Sequence, residues 1–142
     1  MTDTHRPDPP SPFVEEWALS LSRQIPEPRR ALDVAMGRGR HALVLAAAGF
    51  RVFGVDVNLG AVHEGLHRAS RLGYSVRGWC ADLTVAPPPA QRFELIVTTR
   101  YLQRDLCASL ADALVQVAFF CTRHSLKPSA RADSDQPPRP IC

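Results

Sequence analysis

Residues 31–56 read ALDVAMGRGRHALVLAAAGFRVFGVD. ALDVAM is an apolar run of the length that suits a buried strand, broken only by Asp33. The glycine-bearing GRGR turns the chain, and HALVLAAAGF is a compact helix that Gly49 stops. RVFGVD is a second buried strand and ends on Asp56. Strand, glycine turn, helix and strand in this order form a βαβ unit.

The pattern repeats outward from that unit. NLGAVHEGLHRASRLG, residues 58–73, predicts a helix whose apolar side runs through Val62, Leu66, Ala69 and Leu72. YSVRGWCADL predicts a third strand, TVAPPPAQR a loop, FELIVTT a fourth strand and DLCASLADALVQ another amphipathic helix. On the other side, residues 1–10 are expected to be a disordered lead. Ser11 and Pro12 then suit an N-cap and first helical position, and Glu15 and Glu16 suit the positive end of the helix dipole. That helix is expected to end at Gln24, before PEPRR. Strands and helices alternate with connections that fit only crossovers, so the expected fold is α/β, a Rossmann-like doubly wound parallel sheet. Such sheets bind ligands at the carboxyl ends of their strands.

The 142 residues are enough for one domain with a real core, and 45% hydrophobic with 22% charged residues is ordinary for a globular chain. The net charge is +3, with arginine supplying 16 of the 17 basic side chains and no basic run among them. No nucleic-acid partner is expected on that basis. No stretch approaches the about 18 uninterrupted apolar residues of a membrane helix, and the polar, proline-rich start fits neither a signal nor a transit peptide. Cys80, Cys107, Cys121 and Cys142 show no C-x-x-C pairing. Reduced cysteines in the cytoplasm are therefore the expectation.

As a bare pattern, Gly37-x-Gly39-x-x-Ala42 fits a dinucleotide fingerprint, with Asp56 standing 19 residues after Gly37 where a ribose-binding acid would be. The same pattern fits S-adenosylmethionine, and Asp33 separates the two. An acid at the end of the first strand would repel a pyrophosphate in a partly desolvated turn. S-adenosylmethionine has no phosphate, and its ammonium and sulfonium welcome a carboxylate. The plain alternative is that Asp33 and Asp56 only cap the helices that follow them.

LDVAMGRGRHA resembles the first motif of class I S-adenosylmethionine-dependent methyltransferases, in particular the small bacterial branch near the tellurite-resistance enzymes. VFGVD is similar to the second motif, CADL to the third and FELIVTTRYLQRDL to the fourth, so the resemblance covers residues 30–115. It implies that Asp56 holds the ribose hydroxyls, that Asp82 meets the adenine amino group and Leu83 its ring, and that Asp33, Ala35, Gly37, Gly39, Val57 and Thr99 complete the cofactor site. Asp82 also has a plainer reading as a turn acid. Ala35 departs from the family's first glycine, and alanine is tolerated there if its backbone keeps a negative φ. No catalytic residue and no metal ligand is assigned. Arg38, Arg40 and His41 read as solvated or helix-start residues, and Arg100 and Tyr101 follow the fourth strand at the rim.

HEGLH, residues 63–67, satisfies H-E-x-x-H and raises a zinc peptidase as a rival. The extended H-x-x-G-x-x-H fails at Ser70 and Gly73, and the only acid in a plausible downstream window, Glu94, falls inside a predicted strand. The motif reads as a coincidence on a solvated helix.

After Leu114 the composition changes, and the chain's single lysine and a proline-rich end follow. Residues 11–115 are expected to be the cofactor-binding domain, and residues 116–142 an aberrant, disordered tail in place of the family's Pro-Gly-Gly turn and last strands. One set of codons for Val115–Ser125, read from the third base, spells PGGIFLYETF, which suggests a frameshift. The fourth strand would then be an exposed edge. The expected function is methyl transfer from S-adenosylmethionine to a small acceptor, by direct displacement and with no membrane partner. A non-catalytic remnant and an NAD(P)-dependent oxidoreductase fragment are the alternatives.

Overall fold

The structure is a computed structural model and describes residues 9–98 and 104–122. Helix α1 (Pro12–Gln24) leads into β1 (Arg30–Val34), α2 (Arg40–Ala47), β2 (Arg51–Asp56), α3 (Leu59–Arg71), β3 (Val76–Cys80), β4 (Phe93–Thr98), α4 (Arg104–Ala113) and β5 (Leu114–Thr122). The five strands form one sheet in the order β3-β2-β1-β4-β5, and every pairing is parallel. The order reverses between β1 and β4, which places a crevice at the carboxyl ends of the strands there.

Two apolar clusters cover the sheet. One joins Val14, Ala18 and Leu21 of α1 to Leu45 of α2, Val62 of α3, and Val52 and Leu95 of the strands. The other packs Leu106 and Leu110 of α4 against Leu32, Val34, Val55 and Ile96. Alternating residues of β1 therefore feed opposite cores, as a sheet buried on both faces requires.

Ser11 occupies the N-cap of α1 as its sequence suggests, but its hydroxyl makes no cap bond. Its backbone N–H instead donates to Nε2 of His41 at 3.1 Å. His41 is buried rather than solvated, and it ties the start of α1 to the first turn of α2. At the amino ends of β1 and β4, Arg30 grips Glu94: Nη2 to Oε1 is 2.7 Å, and the Arg30 backbone N–H reaches Oε2 at 2.7 Å. Glu94 is thereby committed to a structural pair.

Three expectations are corrected. The fourth strand is not an edge, because β5 pairs along it and all six residues of β4 are buried. The run Leu114–Thr122 is rich in β-branched and aromatic residues, which suit a strand. The sheet thus continues past residue 115, while residues 123–142 lie outside the described part of the chain. On α3, the buried face is Val62, Gly65 and Ala69, whereas Leu72 is 62% exposed. Cys107 is disulfide-bonded, which departs from the expectation of reduced cysteines.

Candidate functional site

The turn between β1 and α2 passes through three left-handed residues: Ala35 (φ 56°), Gly37 (φ 53°) and Gly39 (φ 84°). Gly37 and Gly39 adopt this conformation at no steric cost. Ala35 does not, since an L-residue there costs about 1–2 kcal/mol. The condition under which alanine was expected to be harmless is not met, and the missing first glycine leaves a strained position. Between these residues, Met36 is buried and its sulfur fills the space above Gly54: a side chain on Gly54 would place its Cβ 2.2 Å from the Met36 Sδ. The Met36 N–H donates to the Val55 carbonyl at 3.0 Å, fastening the turn to β2.

Asp56 ends β2 and spans two loops. Its Oδ2 accepts the Gly37 N–H at 2.8 Å, and its Oδ1 accepts the Asn58 N–H at 2.9 Å. Asp33, one residue from the end of β1, is only 1% exposed. Burial is the main reason its carboxyl is pushed up to about 7 from 3.8. The neighbouring Asp56 adds to this, while the Ala42 backbone N–H and the charge of Arg40 oppose it. Its Oδ2 is buried without a hydrogen-bond partner. Two carboxylates thus stand at adjacent strand ends around one glycine turn, one of them with an unmet acceptor.

Asp82 lies just past β3 in an exposed turn. Its Oδ1 accepts from the Thr84 hydroxyl at 2.6 Å and the Thr84 N–H at 2.9 Å, and the two bonds, the hydroxyl's first, hold its carboxyl below the usual range. The plainer role as a turn acid is therefore visible. This turn also explains why the third strand stops at Cys80 rather than Leu83: the Asp82 carbonyl accepts the N–H groups of Val85 and Ala86. Leu83 is 6% exposed and belongs to the core beneath the sheet. Val57 is 69% exposed beside Asp56. Val85 is similarly exposed on the neighbouring turn, a rim residue that the sequence did not single out. Thr99, Arg100 and Tyr101 lie outside the described residues. The structure thus brings Asp33, Ala35, Gly37, Gly39, Asp56 and Val57 to one rim, with Asp82 on the adjoining turn.

His63, Glu64 and His67 of HEGLH are exposed on α3. Glu64 pairs with Arg38 of the glycine turn, Oε2 to Nε 3.1 Å. Among the described residues, no three His, Cys, Asp or Glu side chains converge as metal ligands. No helix among them is long and apolar enough to cross a membrane.

Comparison with known proteins gives this rim its context. A family model described as a methyltransferase domain matches residues 31–122. A protein-L-isoaspartate O-methyltransferase of Chlorobaculum parvum is 27% identical over 109 residues, which cover 75% of this chain and 50% of that protein. Among solved structures, the YcgJ protein of Bacillus subtilis superposes with a TM-score of 0.59 at 24% identity, over 74% of this chain and 49% of that one. TehB of Haemophilus influenzae gives 0.62 at 18% identity, over 74% and 38%. A TehB-like S-adenosylmethionine-dependent methyltransferase of Corynebacterium glutamicum gives 0.57 at 23%, over 73% and 58%. These structures share the fold, and the chain spans about half the length of the curated relative it matches. By its match across residues 31–122, the chain belongs to the methyltransferase-domain family, whose cofactor is S-adenosylmethionine.

Proposed function

We propose that this chain holds S-adenosylmethionine at the carboxyl ends of β1, β2 and β3 and transfers its methyl group to a small nucleophilic acceptor. The observation that carries this reading is the buried Oδ2 of Asp33, an acceptor without a partner at the base of the glycine turn. A buried carboxylate of that kind is costly until a cation or donor meets it. An ammonium or sulfonium meets that need, whereas a diphosphate would face both Asp33 and Asp56. The Gly37 N–H is moreover already given to Asp56.

When bound, the cofactor supplies an activated methyl on a sulfonium. The chain's own residues bind and orient. Asp33 offers charge at the base of the turn, Asp56 anchors the turn and faces the ribose side, and Asp82 suits an amino group on the adenine side. Val57 offers an exposed apolar surface beside Asp56. Leu83 supports this rim from the core below. Rate enhancement would come from holding donor and acceptor in line away from water, and no general base is assigned. The binding unit is residues 11–115, extended to Thr122 by β5.

The test is to incubate the chain with methyl-labelled S-adenosylmethionine and a panel of acceptors, including thiols, metalloid oxyanions and an isoaspartyl peptide. Label appearing on one acceptor supports the reading. Label retained on the protein but never transferred favours a cofactor-binding remnant. Label that does not bind at all overturns the assignment.

A further inference from the structure

Three residues of α3 converge on one residue of the glycine turn. Arg68 Nη1 donates to the Arg38 carbonyl at 2.9 Å. Gly65 lies so close that a Cβ there would stand 3.0 Å from the Arg38 carbonyl carbon, 3.2 Å from its oxygen and 3.0 Å from the Met36 Cε. Glu64 adds the ion pair to the Arg38 guanidinium. Glu64 and Arg68 are one helical turn apart, with Gly65 between them on the same side, so a single face of α3 makes every one of these contacts.

From this we infer that α3 is the support of the cofactor turn, and that Gly65 and Arg68 are positioning residues for the methyl donor. The inference rests on the S-adenosylmethionine reading of the rim. The turn is pinned from both flanks: Asp56 takes the Gly37 N–H, and Arg68 takes the carbonyl of the next residue, Arg38. Fixing that N–H and that carbonyl fixes the backbone between the two loop glycines, which otherwise have the widest conformational freedom of any residue. Gly65 contributes by absence, since any side chain would push on the peptide of Arg38. The Glu64–Arg38 pair is half exposed at both ends and adds little, because such pairs are screened by solvent. HEGLH therefore has a structural reason that is not metal binding: its central glycine is the contact point, and its histidines face outward.

The experiment compares Gly65→Ala, Arg68→Met and Arg68→Lys, with the exposed His63→Ala as control. Each is measured for S-adenosylmethionine affinity by calorimetry, for urea midpoint, and for the Gly37 amide resonance in a ¹⁵N spectrum. A Cβ at Gly65 forces its neighbours to give by a few tenths of an ångström. Gly65→Ala and Arg68→Met should each weaken binding by about tenfold, the equivalent of one hydrogen bond of about 1.4 kcal/mol. Arg68→Lys, which keeps a donor, should recover most of that loss, and His63→Ala should bind like the parent. The Gly37 resonance should move in the first two variants and stay in the control. Unchanged affinity in both, or a lowered urea midpoint with affinity and resonance intact, would overturn the inference. If the parent chain does not bind S-adenosylmethionine, the functional reading fails. The Gly37 resonance then decides the support role alone: a shift sustains it, and no shift ends it.

Discussion

Replacing Asp33 by Asn should make the chain more stable near neutral pH while weakening its grip on the cofactor. The carboxyl is buried at the end of β1 and pushed up from 3.8 to about 7, mainly by burial. Because the folded state holds this proton more tightly than the unfolded state does, stability falls as pH rises between those two values. It is level below about pH 4 and above about pH 7, and the whole descent is worth roughly 4 kcal/mol. Asn carries no charge, so that descent disappears. Its amide keeps an oxygen for the Ala42 N–H but places an NH2 where Oδ2 has no partner, which returns about 1–3 kcal/mol of the gain. The net effect is a variant about 1–3 kcal/mol more stable than the parent at pH 8 and less stable than it at pH 4. Urea denaturation of both proteins at half-unit steps from pH 4 to pH 8 reads the difference directly. Parent and variant curves that run parallel across the range would refute the reasoning, because Asp33 would then carry no burial penalty.

Other outcomes follow from the same geometry. S-adenosylmethionine affinity should rise with pH up to about 7 and then level, because a bound cation favours ionised Asp33 and binding below that pH releases a proton; titrations at several pH values check it, and a flat profile argues against contact with Asp33. Ala35→Gly relieves the left-handed alanine at φ 56° and should raise stability by about 0.5–1 kcal/mol once the extra freedom of glycine in the unfolded chain is subtracted; a fall in the urea midpoint would contradict the strain. Glu94→Gln should cost about 2 kcal/mol by weakening the partly buried pair with Arg30, yet leave cofactor affinity unchanged, because the pair stands at the amino ends of the strands. A drop in affinity would show that the two ends of the sheet are coupled.

The parallel sheet was legible because apolar runs of strand length alternate with helical ones, and β2 ends where its sequence pattern does, at Asp56. Asp33, Gly37, Gly39 and Asp56 were legible for a related reason: glycines and acids at strand ends have few other uses in such a fold. What escaped depends on tertiary approach. Leu72 completes a helical stripe on paper, yet it projects past the last turn that the sheet covers, and Gly65 takes its place on the buried face. Gly54 and Gly65 give no sign in the sequence that one makes room for Met36 and the other for Arg38. Leu83, placed at the adenine ring by the resemblance, is buried in the core next to the turn that Asp82 caps. The run that forms β5 has ordinary strand propensity, but it begins at the point where the composition of the chain changes, so nothing before it in the pattern announces a strand there.

The most direct measurement is a ¹⁵N spectrum of the whole chain titrated separately with S-adenosylmethionine and with NAD⁺. A cofactor seated at this rim should shift the amides of Gly37, Ala42 and Asn58, whose N–H groups meet Asp56 and Asp33, at a stoichiometry of one, while NAD⁺ leaves them in place. Shifts produced by NAD⁺ and not by S-adenosylmethionine, or by neither, would contradict a methyl-donor site between Asp33 and Asp56.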